Sequence, residues 1–193
     1  MKRFFRALVV ALVLTTPILS GCADSTGPVT ATQVQPQNGL ITDLLGTVLN
    51  LVGGLISGAD ANGPDASVWI GPAGGTVTTA AYTLIIPANA VTKSTRFDIE
   101  PLNTGVYSVE LHAYQKGGLL NLSLIDVGSK GFLKPVTLRM SYAKAYNVTD
   151  PNALVIVYFA QGIVEIKPSA IDLVNKTVTS QLNHFSKYCM ATN

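Results

Sequence analysis

The sequence contains few of the side chains from which disulfide frameworks, metal sites and most active sites are built. Its 193 residues include two cysteines, two histidines and one tryptophan, and only 12% of them are charged. The two histidines, His112 and His184, are far apart and have no Cys or His companion at the spacing of a zinc motif. The sequence has no phosphate-binding glycine loop followed by a helix and no Gly-x-Ser-x-Gly elbow. We therefore predict no metal, no cofactor and no disulfide framework.

The few charges that are present are almost balanced. The 13 Lys and Arg residues exceed the 11 Asp and Glu residues by two, but three of the basic residues, Lys2, Arg3 and Arg6, lie at the N-terminus. Without these three, ten basic residues stand against 11 acidic ones. No cluster of basic residues remains that could follow a phosphate backbone. The composition therefore predicts no nucleic-acid partner.

The N-terminal segment has the three parts of a secretory signal peptide. Basic residues precede an apolar run from Ala7 to Leu19, and small residues follow that run. The run is shorter than the about 20 apolar residues that a membrane-spanning helix needs. The motif Leu19-Ser20-Gly21-Cys22 resembles the lipobox of bacterial lipoproteins. This resemblance implies that residues 1–21 are removed as a signal peptide and that Cys22 carries a diacylglycerol and a further acyl chain such as palmitate.

A lipid on Cys22 would decide where the protein is found. Each buried methylene contributes about 0.8 kcal/mol, so two or three acyl chains hold a protein on a bilayer almost permanently. Ala23 stands where aspartate marks inner-membrane retention in enteric bacteria, and this analogy favours the outer membrane over the inner one. Cys189 is then left without a disulfide partner, and its apolar surroundings predict a buried thiol. We expect a lipid-anchored protein of the bacterial cell envelope.

Residues 22–66 are predicted to connect the anchor to the body of the protein. Residues 22–37 are rich in Thr, Pro and Gln, which predicts a flexible spacer. In residues 38–58 the apolar side chains fall on one half of a helical wheel, which predicts an amphipathic helix. Residues 59–66 contain a Gly-Pro-Asp turn signal and are predicted to form a hinge.

The apolar face of the predicted helix needs a covering surface. Its interior glycines each destabilise a helix by about 1 kcal/mol relative to alanine, so the helix should not stand alone in water. Three surfaces remain open: the protein's own domain, a partner protein or second copy that binds through residues 40–56, and the membrane. The polar face has no Lys or Arg, which disfavours the membrane.

Residues 67–193 alternate short β-like runs with turn residues. The alternation is clearest in Val136–Tyr142, where every second side chain is apolar. Many short strands with regular punctuation predict an all-β domain, an antiparallel β-sandwich. The strands are predicted at Ser67–Ile70, Tyr82–Ile86, Thr95–Leu102, Val106–Gln115, Leu119–Val127, Val136–Tyr142, Leu154–Ala160, Val164–Lys167, Thr177–Leu182 and Phe185–Ala191.

Four motifs in this region resemble the ZU5 domain family. A Gly-Gly turn in Gly71–Val77 precedes an Ile-Pro corner in Leu84–Ala90, and a Lys-Pro-Val strand and a His-Phe-Ser-x-Tyr strand follow in Lys134–Leu138 and Asn183–Tyr188. Asn89 replaces the glycine of the family corner, and asparagine tolerates the same left-handed backbone. ZU5-like domains are β-sandwiches that make protein–protein contacts in eukaryotic ankyrins and netrin receptors. The resemblance implies a non-catalytic protein-binding or scaffolding module.

The His-Phe-Ser motif leaves a self-cleaving function open. It resembles the self-cleavage sequence of certain nucleoporins and of some ZU5-containing death-domain adaptors. This resemblance implies Ser186 as the nucleophile, His184 as the general base and the Phe185–Ser186 bond as the cleavage site. On a regular strand, residues two apart share a face, which suits a nucleophile and its base. The competing interpretation is structural, with Phe185 in the core and its two polar neighbours bonded to the backbone.

The aromatic residues leave a third function open, which is carbohydrate binding at the surface. The residues that could line a sugar-binding face are Trp69, Tyr82, Tyr107 and Tyr114. His112 is interpreted as an ordinary strand residue rather than a metal ligand. Asp98 and Glu100 are interpreted as a solvated strand face rather than a catalytic pair.

Overall fold

The computed structural model describes residues 53–117, 123–161 and 163–193. Cys22, the predicted spacer and residues 38–52 of the predicted helix lie outside the described residues. The described strands are β1 (Gly54–Leu55), β2 (Ala66–Ile70), β3 (Gly75–Thr78), β4 (Tyr82–Ile86), β5 (Thr95–Pro101), β6 (Ser108–Gly117), β7 (Ser123–Asp126), β8 (Val136–Ser141), β9 (Leu154–Ala160), β10 (Ile163–Lys167), β11 (Ser169–Asp172), β12 (Thr177–Leu182) and β13 (Lys187–Thr192). A short 3-10 turn at Pro151–Ala153 precedes β9.

The strands form two antiparallel sheets. In the first sheet the order is β10-β9-β13-β6-β5-β2, with β1 paired to β13 and β7 paired to β6. In the second sheet the order is β11-β12-β8-β4-β3. The prediction of an all-β chain with antiparallel pairing is therefore confirmed for the described residues.

The main core lies between the two sheets. Alternation along β8 buries Val136, Leu138 and Met140, as the sequence pattern predicts, because successive side chains of a strand point to opposite faces. Phe97 and Leu111 reach the same core from the first sheet. Two antiparallel sheets that enclose one core have the layered arrangement of a β-sandwich.

A second apolar cluster lies on the other face of the first sheet. Alternate residues of β9 and β13 point away from the main core and are completely buried there: Val157, Phe159, Cys189 and Ala191. Leu55 of β1 packs against them. The strands β9 and β13 are therefore apolar on both faces, which explains why they are continuous hydrophobic runs in the sequence.

Most strands lie where the sequence predicts them. The predicted bounds of β4, β9 and β12 agree with the structure at both ends. The strands β1, β3 and β11 were not predicted, and each has four residues or fewer. Strands this short carry too little periodicity to be recognised, because it is pairing with a neighbour that stabilises them.

The C-terminal end of the predicted helix 38–58 is not helical. Strand β1 occupies part of this segment and pairs with Ala191 and Thr192 at the end of β13. Glycine disfavours a helix by about 1 kcal/mol relative to alanine, and β13 offers unpaired backbone groups to an extended chain instead. The helix prediction is wrong for the described residues 53–58.

Two residues of the predicted partner-binding range 40–56 contact their own domain. Leu55 packs on the second apolar cluster, and Ile56 is buried in the main core. Ile56 also accepts a hydrogen bond at its carbonyl from the backbone N–H of Tyr107, at 2.8 Å. These residues therefore do not present an apolar face to a partner, and residues 40–52 lie outside the described part of the chain.

The first part of the predicted hinge, residues 59–66, is anchored to the domain, whereas Asn62, Pro64 and Asp65 are exposed. Tyr107 donates a hydrogen bond from its hydroxyl to the carboxylate of Asp60, and Tyr82 donates to the carbonyl of Ala61 at 3.1 Å. Asp60 and Ala61 are both buried. Burial, followed by the contact with Asp60, raises the pKa of Tyr107 well above its usual value. Specific side-chain anchors therefore fix Asp60 and Ala61 within the segment that was predicted to be a hinge.

A left-handed residue forms the corner that follows β4. Asn89 has a φ of 64°, as expected from its place at the family glycine. Gly74, in the facing turn, has a φ of 79°, and a Cβ placed there would approach the carbonyl oxygen of Ile86 to 2.5 Å. The backbone N–H of Asn89 donates to the carbonyl of Pro72 at 2.7 Å, which joins the two turns.

Replacing Asn89 tests the strain at this corner. We expect Asn89→Ala to lower the free energy of unfolding by about 1 kcal/mol, because alanine is disfavoured in the left-handed region. Asn89→Gly should leave the free energy of unfolding nearly unchanged, since glycine adopts this conformation freely. Urea denaturation measures both values. Equal stability of the alanine and glycine variants would contradict this account.

Removing the hydroxyl of Tyr107 tests the anchor of residues 59–66. We expect Tyr107→Phe to lower the free energy of unfolding by about 1–3 kcal/mol, because the buried Asp60 carboxylate loses its donor. The matched control is Tyr146→Phe, since the Tyr146 ring is exposed and surface changes of this size alter stability by less than about 0.5 kcal/mol. Thermal and urea unfolding measure the difference, and identical midpoints for the two variants would refute the proposed anchor.

Candidate functional site

The His184-Phe185-Ser186 motif lies in a bend before β13, not within a strand. The prediction placed a strand from Phe185, but β13 begins at Lys187. The backbone N–H of Phe185 donates to Gly128 at 2.9 Å, and the carbonyl of Ser186 accepts from the backbone N–H of Leu111 at 2.9 Å. His184 and Ser186 therefore do not lie on one face of a regular strand, contrary to the prediction.

The side chains of the motif are held by separate parts of the domain. Phe185 is buried and packs edge-to-face against Phe97 and Phe132. The His184 ring packs edge-to-face on Tyr158, with ring centroids 5.4 Å apart. Among the described residues, no hydrogen bond links the His184 imidazole to the Ser186 hydroxyl. Phe185 therefore lies in the core, as the structural interpretation of the motif expects.

Cys189 is a buried thiol, as its sequence context predicts. It lies in the second apolar cluster and is free. Burial raises its pKa to about 12. A thiolate is the nucleophilic form of cysteine, so this side chain is chemically inert in the folded domain at neutral pH.

His112 lies on the outward face of the first sheet among carboxylates. Its Nε2 atom is 3.6 Å from a carboxylate oxygen of Glu100 and 3.8 Å from one of Glu110, and its ring stacks on Tyr114. Within residues 53–117, 123–161 and 163–193, no group of three His, Cys, Asp or Glu side chains could hold a metal ion. The same residues contain no helix long and apolar enough to cross a membrane.

Only half of the predicted aromatic face exists. Tyr82 and Tyr107 are completely buried in the core, so the prediction that they line a surface is wrong. Trp69 and Tyr114 do face outward on the first sheet, and both lie opposite Arg96 of β5 in the strand register. The three side chains therefore form one row across β2, β5 and β6, and Trp69 is 41% exposed.

Arg96, in the middle of this row, is neutralised by an ion pair with Asp98. The Arg96 guanidinium lies 5.0 Å from the centroid of the Tyr114 ring, and one of its nitrogens is 2.9 Å from the Asp98 carboxylate. Ser67 donates a hydrogen bond to the same carboxylate at 2.5 Å. Asp98 is buried beneath these groups, so its interpretation as part of a solvated strand face is wrong. This ion pair holds Arg96 in place but leaves it little free charge.

A cavity of about 370 Å³ opens beside Trp69, at the end of the row. Its lining residues are Trp69, Lys93, Ser94, Gln115 and Lys116. The Lys116 ammonium lies 5.3 Å from the centroid of the Trp69 ring, within the range of a cation–π contact. The lining therefore joins an aromatic ring, two ammonium groups and two uncharged polar side chains, and it contains no carboxylate.

Of the residues that line this cavity, the sequence indicates only Trp69 as a candidate binding residue. Lys93 and Ser94 precede β5, whereas Gln115 and Lys116 lie near the end of β6. They meet because Thr95 of β5 pairs with Gln115. Two lysines 23 positions apart carry no signal in the sequence, since only the pairing register brings them to one place.

No protein-family model matches the chain, and the search of curated proteins finds no significant match. The resemblance to lipoproteins and to the ZU5 family therefore stays a prediction.

We expect the Phe185–Ser186 bond to remain intact in the folded protein. The peptide groups beside it are used in backbone hydrogen bonds, and Ser186 has no hydrogen bond to a histidine base. Mass spectrometry under denaturing conditions should find a polypeptide that extends through Asn193, both for the wild type and for Ser186→Ala. A separate peptide of residues 186–193 in the wild type, but not in the variant, would establish self-cleavage instead.

Proposed function

We propose that this protein is a non-catalytic binding module with a ZU5-like body, held at the bacterial cell envelope by lipid on Cys22. The observation that carries the binding role is the outward row of Trp69, Arg96 and Tyr114, with the open cavity at its Trp69 end. Tryptophan, tyrosine and arginine dominate binding energy in protein recognition sites, because each offers a large contact area and directed polar groups.

The position of this row on strands favours a preformed site. Its residues are fixed by continuous pairing of β2 with β5 and of β5 with β6. A site on paired strands changes little on binding, so it avoids the entropy cost of ordering a loop. Arg96 is held further by its ion pair with Asp98.

The row also lies away from the point at which the N-terminal part of the chain enters the domain. Gly53 donates a backbone hydrogen bond to Thr192 of β13 at 2.8 Å, and β1 then pairs with that strand. Strand β2 is the third strand along from β13 in the sheet order. Strand β1 lies on the same edge of β13 as β6, two strands from β2, so at about 4.8 Å per strand Trp69 stands about 10 Å to the side of this entry point.

The anchor is tested by replacing the proposed lipidation site. We expect the wild-type chain, expressed in a Gram-negative bacterium, to be found in the membrane fraction with the added mass of acyl chains on Cys22. Cys22→Ser should lack this mass and leave the membrane fraction, because a serine hydroxyl cannot form the thioether.

The matched control is Cys189→Ala, which removes the buried thiol and should leave both the mass of the lipid and the membrane location unchanged. Mass spectrometry and membrane fractionation measure the two properties. A wild-type protein without acyl chains, recovered in aqueous extracts, would refute the anchor.

A further inference from the structure

We propose that the cavity beside Trp69 binds an acidic polysaccharide, with a sugar ring stacked on the Trp69 indole and its carboxylate held between Lys93 and Lys116. This inference rests on the proposed binding function and names the ligand class for the same face. It follows from three features of the cavity: its shape, its charge and the polar groups on its wall.

The size and shape of the cavity suit part of a chain-like ligand. Its volume of about 370 Å³ is at the lower end of the range of small-molecule sites, about 300–1,000 Å³. A stable protein interface involves about 20–30 residues on each partner, whereas five residues line this cavity. A polysaccharide can fill it with one or two sugar units and continue along the surface on either side.

Trp69 supplies the apolar contact that such a sugar needs. One face of a pyranose ring carries mostly C–H groups, and an exposed indole offers a flat, polarisable surface for them. The Trp69 ring is 41% exposed although it belongs to a paired strand. The row continues from it through Arg96 to Tyr114, whose ring is contacted by Arg96 and by His112, so Trp69 is the aromatic surface that is offered to the sugar.

The charge of the cavity selects for an anion. Lys93 and Lys116 both line it, and no carboxylate does. Neither lysine forms an ion pair with a described carboxylate, in contrast to Lys144, Lys167 and Lys187. The Lys116 ammonium lies 5.3 Å from the centroid of the indole, which places a positive charge beside the aromatic wall of the cavity. A carboxylate on a sugar stacked against Trp69 comes within reach of both ammonium groups.

The wall of the cavity is held by a short chain of hydrogen bonds. Gln115 donates from its side-chain amide to the hydroxyl of Thr95 at 3.0 Å, and Thr95 donates to the carbonyl of Lys93 at 3.0 Å. These bonds fix Gln115 and the backbone of Lys93 relative to each other. The Gln115 amide oxygen and the Ser94 hydroxyl complete the lining, and such groups pair with sugar hydroxyls.

The single tryptophan of the chain makes this proposal directly measurable, because its fluorescence reports on this cavity alone. We would titrate the purified full-length protein, in detergent micelles, with a galacturonic acid oligomer of about six units. A neutral galactose oligomer of the same length is the control ligand, and inorganic phosphate is the control for general anion binding. We expect a saturable change with the acidic oligomer, about tenfold weaker binding of the neutral one, and no saturation with phosphate.

Variants of the cavity identify the groups responsible. Lys93→Gln and Lys116→Gln should each weaken binding of the acidic oligomer several-fold and reduce its dependence on salt, because each removes one ionic contact. Trp69→Ala should abolish binding, measured by calorimetry because this variant has no tryptophan. The control Lys176→Gln, in the turn between β11 and β12 of the other sheet, should bind like the wild type. Urea unfolding confirms that all variants fold.

The outcomes separate this inference from the proposed function. Equal binding of the neutral and acidic oligomers, or saturation by phosphate at the same concentration, would overturn the assignment of an acidic sugar. No response to the acidic oligomer would overturn it as well, and would leave the lipid anchor to be decided by the Cys22→Ser experiment. Unchanged binding in both lysine variants would remove the proposed role of the two ammonium groups.

Discussion

The pairing of β13 is the interaction on which the rest of the described structure depends. Its first residues pair with β6, its last residues pair with β1, and its other edge pairs with β9. Tyr188 and Met190 point into the main core, whereas Cys189 and Ala191 point into the second cluster. One strand thus joins three neighbours and two apolar layers, so its loss would separate the strands that carry the candidate site from β9 and β10.

The pairing of β13 explains why residues 54–58 were predicted wrongly, whereas two features that depend on local preferences were predicted correctly. Residues 54–58 continue an apolar and glycine-rich pattern that also fits a helix, and only the unpaired half of the β13 edge decides between the two. The periodicity of residues 54–58 cannot show that β13, which is distant in the sequence, has unpaired backbone groups along one edge. By contrast, the alternation of β8 and the left-handed backbone of Asn89 depend on local preferences, and both were predicted correctly.

The candidate site shows a similar division between local and distant information. Exposed and buried aromatic residues look alike in the sequence, so Tyr82 and Tyr107 could not be told apart from Trp69 and Tyr114 before the register was known. Lys93 precedes β5 and Lys116 lies in β6, and they meet only through the pairing of these two strands. The general all-β class was therefore accessible from patterns, whereas the composition of the site depends on pairing over long separations.

The complete burial of Cys189 has a consequence for how the chain must mature. In an oxidising compartment, an exposed thiol is open to mixed disulfides and to cross-linking with other chains. The thiol escapes this chemistry only after β13 has joined β9 and β6, strands that come earlier in the chain. Under the proposed export to the cell envelope, closure of the sheet around β13 therefore also removes the Cys189 thiol from this chemistry.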